Sequence, residues 1–231
     1  MTTSTNQEQP WLFFALVYAL SAPFWLMATQ LRHCGLPDHL PITDVAAVFA
    51  PVTAAAWLCH RRDGWAGVRS LLTRAIDWRR VPGRRWLAIA VLLPIGLCVA
   101  TYLAMRWLGL PVPLTWSAST NLPVVFAFFF VSAAAEELGD TAYATDALQR
   151  RSTALVAALM IGTLWALWHL PSMIQPRQAP PLIVWGLGAT VGFRVLWTWL
   201  YNSAGRSVFV VILTHAVFNT ARTFFPGGRS A

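Results

Sequence analysis

The chain has 231 residues, 57% of them hydrophobic and only 11% charged, with a mean hydropathy of +0.54. Soluble domains carry about 25% charged residues, so these values exclude an ordinary soluble protein and indicate a polytopic membrane protein. The net charge of +8 does not mark a nucleic-acid binder, because all 17 basic residues are arginine and eight of them fall between Arg61 and Arg85. That clustering is how a cytoplasmic loop looks under the positive-inside rule.

Apolar runs long enough to span a hydrocarbon core of about 30 Å lie at Trp11 to Leu31, Ile42 to Cys59, Trp86 to Leu108, Leu122 to Ala135, Ala154 to Leu170, Leu182 to Leu200 and Val208 to Phe224. An all-α membrane bundle of about seven spans, within a range of six to eight, is the expected fold. Leu122 to Ala135 makes a short fourth span if it ends at the acidic residues that follow. Proline-marked loops at Leu36 to Asp38, Leu110 to Pro113 and Gln175 to Pro181 separate the runs and leave no room for a soluble domain, so residues 1–231 read as a single integral-membrane domain. The N-terminus lacks a positive n-region and runs into a full span, as a retained signal anchor would. Cys34, Cys59 and Cys98 lie in different segments without paired spacing, so neither a disulfide framework nor a thiolate site is expected.

The Arg-rich stretch from 60 to 85 is the one polar interruption. Trp65, Val68, Leu71, Leu72, Ala75 and Trp78 recur at helical spacing opposite Arg69, Arg74 and Asp77, which suits an amphipathic helix lying beside anionic lipid; a solvated linker is the alternative. With this loop cytoplasmic, the N-terminus is inside. Arginine without lysine in an Ala-rich chain is the usage of a GC-rich bacterial genome, so a bacterial plasma membrane is expected.

Few ionisable or amide groups remain within the apolar runs: Glu136, Glu137, Asp140, His169, Arg194, His215 and Asn219. A charge near mid-bilayer costs roughly 2.5 to 3.5 kcal/mol, which makes such groups candidates for function. Each also has a plainer reading. The acids can sit in the headgroup region if the span stops at Ala135, His169 can be interfacial, and His215 with Asn219, four residues apart on one helix face, can be an interhelical hydrogen-bonding pair. Their convergence argues for hydrolysis. One glutamate of an adjacent pair in a dry cavity suits a general base toward water, His169 can hold that water or shuttle its proton, and His215 with Asn219 can stabilise an oxyanion.

The segments Glu136-Glu137-x-x-x-x-x-Tyr143, Trp165-x-x-x-His169-Leu-Pro171 and His215-x-x-x-Asn219 resemble the three motifs of the CAAX protease and bacteriocin-processing (CPBP or Abi) family of intramembrane glutamate proteases. The resemblance covers a core from 122 to 220, including Trp199-Leu-Tyr-Asn202. It implies Glu136 as the water-activating base, His169 as its partner, His215 and Asn219 on the oxyanion side, Glu137 in support, and no obligatory metal or other cofactor. The implied partners are the lipid bilayer and a peptide or protein substrate at the membrane, prenylated or bacteriocin-like.

One departure stands out. The family's first motif is Glu-Glu-x-x-x-Arg, and Thr141 occupies the arginine position, with Asp140 before it. Three carboxyls then crowd one turn, and Arg194, the one arginine well inside a span, is the expected cation for Glu137 or Asp140 unless it snorkels to the interface. Two histidines and a glutamate also suit zinc, but no His-Glu-x-x-His or other tight ligand spacing occurs. Two other functions compete with the protease: a catalytically silent binding, immunity or scaffold protein, which Thr141 favours, and a small transporter, which would need more polar residues and an internal repeat.

Overall fold

The computed structural model describes residues 8–33, 46–112, 121–174 and 178–224. Among these residues the chain is helical throughout, with no strand. Seven helices follow in order: α1 (Pro10–His33), α2 (Ala50–Thr73), α3 (Arg84–Trp107), α4 (Leu122–Gln149), α5 (Ala154–Ile174), α6 (Pro180–Ser203) and α7 (Val208–Phe224). The first turns of α2, α4 and α6 each contain proline, where its missing N–H would have no helical partner in any case.

Five helices are long and apolar enough to cross a membrane: Pro10–Ala28 of α1, and all of α3, α4, α5 and α6; α7 is a shorter apolar helix. The protein is an integral membrane protein. The expected second span, Ile42 to Cys59, is not among the five. Its residues 42–45 lie outside the described residues, as does Cys34, and its helix α2 starts at Ala50 and runs on into the Arg-rich stretch. At Gly64 a φ of +63° breaks α2, a conformation that a side chain would oppose. The Arg-rich helix then ends at Thr73, and the remaining residues form two 3₁₀ turns, Arg74–Ile76 and Trp78–Arg80. Trp65, Leu72, Ile76 and Trp78 are exposed along it.

The fourth span is not short. It continues past Ala135 and carries Glu136, Glu137 and Asp140 into the packed interior, where ion-pair and hydrogen-bond partners offset the cost of burying the turn. It does so through a π-helical segment, Asp140–Thr145, in which Thr145 Oγ1 donates to the Asp140 carbonyl at 2.8 Å. Such wide turns are rare and recur at functional sites.

Helix α4 divides the core. On one side Tyr143, Ala144 and Leu148 pack with α1, α2 and α5 (Phe13, Val17, Ala54, Leu58, Ile161). On the other, Ala133 and Leu138 pack with α6 and α7 (Trp197, Tyr201, Val211, Ile212). The crossing of α4 over α2 depends on Gly139: a Cβ there would stand 2.6 Å from Pro51 Cβ and 2.8 Å from its backbone, closer than packed atoms come. Beyond α7, α3 forms a third cluster from Ala90 with Leu200, Ala204 and Val210.

Helices α5 and α7 differ in the burial of their first residues. Thr153, Ala154 and Leu155 at the start of α5 are exposed, whereas Ser207 and Val208 at the start of α7 are fully buried. Counted from the helix starts at about 1.5 Å per residue, His169 lies about 22 Å along α5 and His215 about 10 Å along α7. Both side chains nonetheless reach neighbouring carboxylates of α4, His169 Nε2 at 4.0 Å from Glu136 and His215 Nδ1 at 2.9 Å from Glu137.

Candidate active site

The acidic turn of α4 faces α5, α6 and α7, and each contributes one or two side chains. Glu136 is buried, and its Oε2 accepts a hydrogen bond from Trp165 Nε1 of α5 at 2.8 Å. One turn further along α5, His169 brings Nε2 to 4.0 Å from the same oxygen, too far for a direct hydrogen bond. The Trp165 and His169 rings meet edge to face at 5.2 Å. His169 keeps 31% of its side chain exposed while Glu136 keeps 7%, so the group reaches the surface through the histidine.

Glu137, adjacent in sequence, has different surroundings. It is wholly buried and accepts four contacts: Arg194 Nη1 at 2.8 Å and Nη2 at 3.3 Å, Thr141 Oγ1 at 2.5 Å, and His215 Nδ1 at 2.9 Å. Every other contact is a donor, so the carboxylate is a pure acceptor and His215 carries its proton on Nδ1 toward it. The Nε2 edge of His215 therefore faces away from Glu137. Its ring is set between Trp165 at 5.5 Å and Trp197 at 6.3 Å.

Arg194 is the group's cation. Besides Glu137, its Nη2 donates to Asp140 Oδ2 at 3.3 Å and its Nη1 to Thr141 Oγ1 at 3.2 Å, and its guanidinium lies 4.5 Å from the centre of the Trp165 ring. No part of the residue is exposed, so it does not snorkel.

The structure thus gathers Glu136, Glu137, Asp140, His169, Arg194 and His215 around one turn. Asn219 stands apart from this network. It lies one turn beyond His215 on α7 and is half-buried, its amide making no hydrogen bond to any described residue. Among the described residues no three His, Cys, Asp or Glu side chains are grouped so as to hold a metal ion.

Two contributors were not assigned a role from the sequence. Trp165 is the direct donor to Glu136 and the surface on which Arg194 rests; its position one helical turn before His169 was the available signal. Thr141 joins Arg194 to Glu137 through its hydroxyl, and its spacing four residues after Glu137 already placed the two on one face.

Comparison with known proteins agrees with the motifs. Residues 118–221 match the family described as type II CAAX prenyl endopeptidase Rce1-like. The chain is also similar to CAAX prenyl protease 2 of Methanococcus maripaludis, with 29% identity over 229 residues that cover 94% of this chain and 84% of that protein. The stretch from 118 to 221, which holds every residue of the buried group, is thus similar to the Rce1-like type II CAAX prenyl endopeptidases.

Proposed function

We propose that the protein is an intramembrane endopeptidase that hydrolyses a peptide bond of a membrane-associated, lipidated substrate with a glutamate-activated water. The observation that carries this reading is the separation of the two glutamates' environments. Glu137 is fully occupied by a cation and two further donors, whereas Glu136 has one neutral donor, Trp165, and faces His169 across 4.0 Å. A water bound to both Glu136 Oε2 and His169 Nε2 fits a gap of that size. Glu136 would take a proton from it as the oxygen attacks the scissile carbonyl and give that proton to the leaving amine as the C–N bond breaks, while His169 holds and orients the water. His215, with Nδ1 committed to Glu137, has its Nε2 edge for the developing oxyanion, and Asn219 would join it once substrate is bound.

The family match and the relative's name support a substrate class, a protein with a prenylated C-a-a-X end. The partly exposed His169 supports entry of the peptide from that side. A cytoplasmic N-terminus and a bacterial plasma membrane remain our reading of the arginine distribution.

The test is cleavage of a fluorogenic peptide with a farnesyl-cysteine C-a-a-X end by the purified protein reconstituted in liposomes. Glu136→Gln and His169→Ala should each lower kcat by about 10² to 10⁴, the range for losing a positioned acid or base. If both variants cleave like the wild type, the reading fails; if none of the three cleaves any prenylated peptide, a silent binding or scaffold protein becomes the better description.

A further inference from the structure

The family motif carries its cation on the same helix as its glutamates, and this chain has a hydroxyl there. We propose that Arg194 has taken over that cation from a different helix, and that it acts as a positioning residue holding Glu137 and Asp140 so that Glu137 can orient His215. The inference deepens the protease reading, since what Arg194 positions is the oxyanion side of that site.

Several independent features of the structure support the transfer. Arg194 occurs in the middle of α6, where an unpaired guanidinium would be costly, and it is completely buried. Its two terminal nitrogens bracket the Glu137 carboxylate, and Nη2 also reaches Asp140, so one cation serves two carboxylates on successive turns of α4. Thr141 is adapted to this arrangement. Its side chain leaves the volume that an arginine would fill, and its hydroxyl accepts from Nη1 while donating to Glu137.

A slot on α5 admits the arginine. A Cβ on Gly162 would stand 3.1 Å from Arg194 Cβ and 3.1 Å from Val191 Cα, so the bare backbone of Gly162 lets α6 approach α5. Three residues on, Trp165 covers the guanidinium face. The same indole turns its N–H to Glu136, and Arg194 makes no hydrogen bond to Glu136 among the described residues. The cation is thereby committed to Glu137 and Asp140, and the base retains only a neutral partner.

The experiment returns the cation to its motif position. Arg194→Met, Arg194→Lys and the double variant Thr141→Arg/Arg194→Met are purified in mild detergent and compared with the wild type by thermal melting and by cleavage of the farnesylated peptide. Arg194→Met should melt roughly 10 °C lower and lose at least about 10²-fold in kcat with little change in KM. The double variant should regain most of the melting temperature and come within about tenfold of wild-type kcat, and Arg194→Lys should fall between. Wild-type behaviour of Arg194→Met would overturn the proposal, as would a folded double variant no better than Arg194→Met. If Arg194→Met does not fold, a folded double variant supports the proposal and a double variant that also fails overturns it. Melting needs no turnover, so a wild type that cleaves nothing removes the protease reading while the melting series still decides the role of Arg194.

Discussion

Two clusters on α4 pair carboxylates with arginines, and they differ in what surrounds them. The inner one, around Glu137 and Asp140, is closed off from solvent, with Arg194 and Glu137 both fully buried. The outer one lies six residues on, at Asp146, which accepts Tyr201 Oη at 2.7 Å and Arg206 Nη2 at 2.5 Å, with half of the Arg206 side chain exposed. Arg74 extends it, donating to Tyr201 Oη, the Arg206 carbonyl and Asp77. Asp77 in turn accepts from Ser207 Oγ and the backbone N–H groups of Val208 and Phe209, and so caps α7. The outer cluster ties the Arg-rich connector to three helices; the inner one fixes side chains against each other. Burial decides the difference, because a charge left without its partner in the interior is far more costly than one left facing water.

That contrast predicts a ranking. Glu137→Leu should have the largest effect: it leaves the buried Arg194 with only its longer carboxylate contact, to Asp140, and should remove about 3 to 5 kcal/mol of stability in equilibrium unfolding in mixed micelles. A loss no larger than that of the outer substitutions would remove the distinction between the clusters. Asp77→Ala should rank second, at about 1 to 2 kcal/mol, since it uncaps α7 and removes one of the acceptors of Arg74; loss of amide protection confined to the first turn of α7 would identify the cap as the cause. Arg206→Ala should rank last, at less than about 1 kcal/mol, and the difference from wild type should shrink as salt is raised. An Arg206 effect that persists in high salt would show that the outer pair is shielded in the membrane-bound protein.

The sequence made the helical fold and most of the inner cluster legible, because polar residues in apolar runs are few and their placement is costly. Glu136, Glu137, His169 and His215 could be singled out from single helices and short spacings, as could Asn219, which the structure leaves outside the group. Arg194 could be named by elimination as the cation for Glu137 or Asp140, and the structure pairs it with both. The span limits were harder. Apolarity alone stops the fourth span at Ala135, since nothing local tells an acid in the headgroups from one in a buried turn. The outer cluster was not legible: its members pair across up to 132 residues, as Phe209 does with Asp77, and Asp77, Asp146, Tyr201 and Arg206 each look like ordinary loop or helix-end residues. Similarly, Gly139 and Gly162 give no sequence sign that a neighbouring backbone lies against them.

The π-helical segment between the two clusters fixes their relative phase. In a uniform α-helix successive residues advance by about 100°, so a single residue accommodated in a wide turn offsets everything after it by about that angle. Asp146 and Leu148 therefore point where they do only because Asp140–Thr145 carries that offset. Deleting one residue from this segment would restore an unbroken helix, yet it would turn Asp146 away from Tyr201 and Arg206 whenever Glu137 stays in place. The helix thus works like a key cut on two faces, in which neither set of teeth can be shifted without taking the other out of its lock.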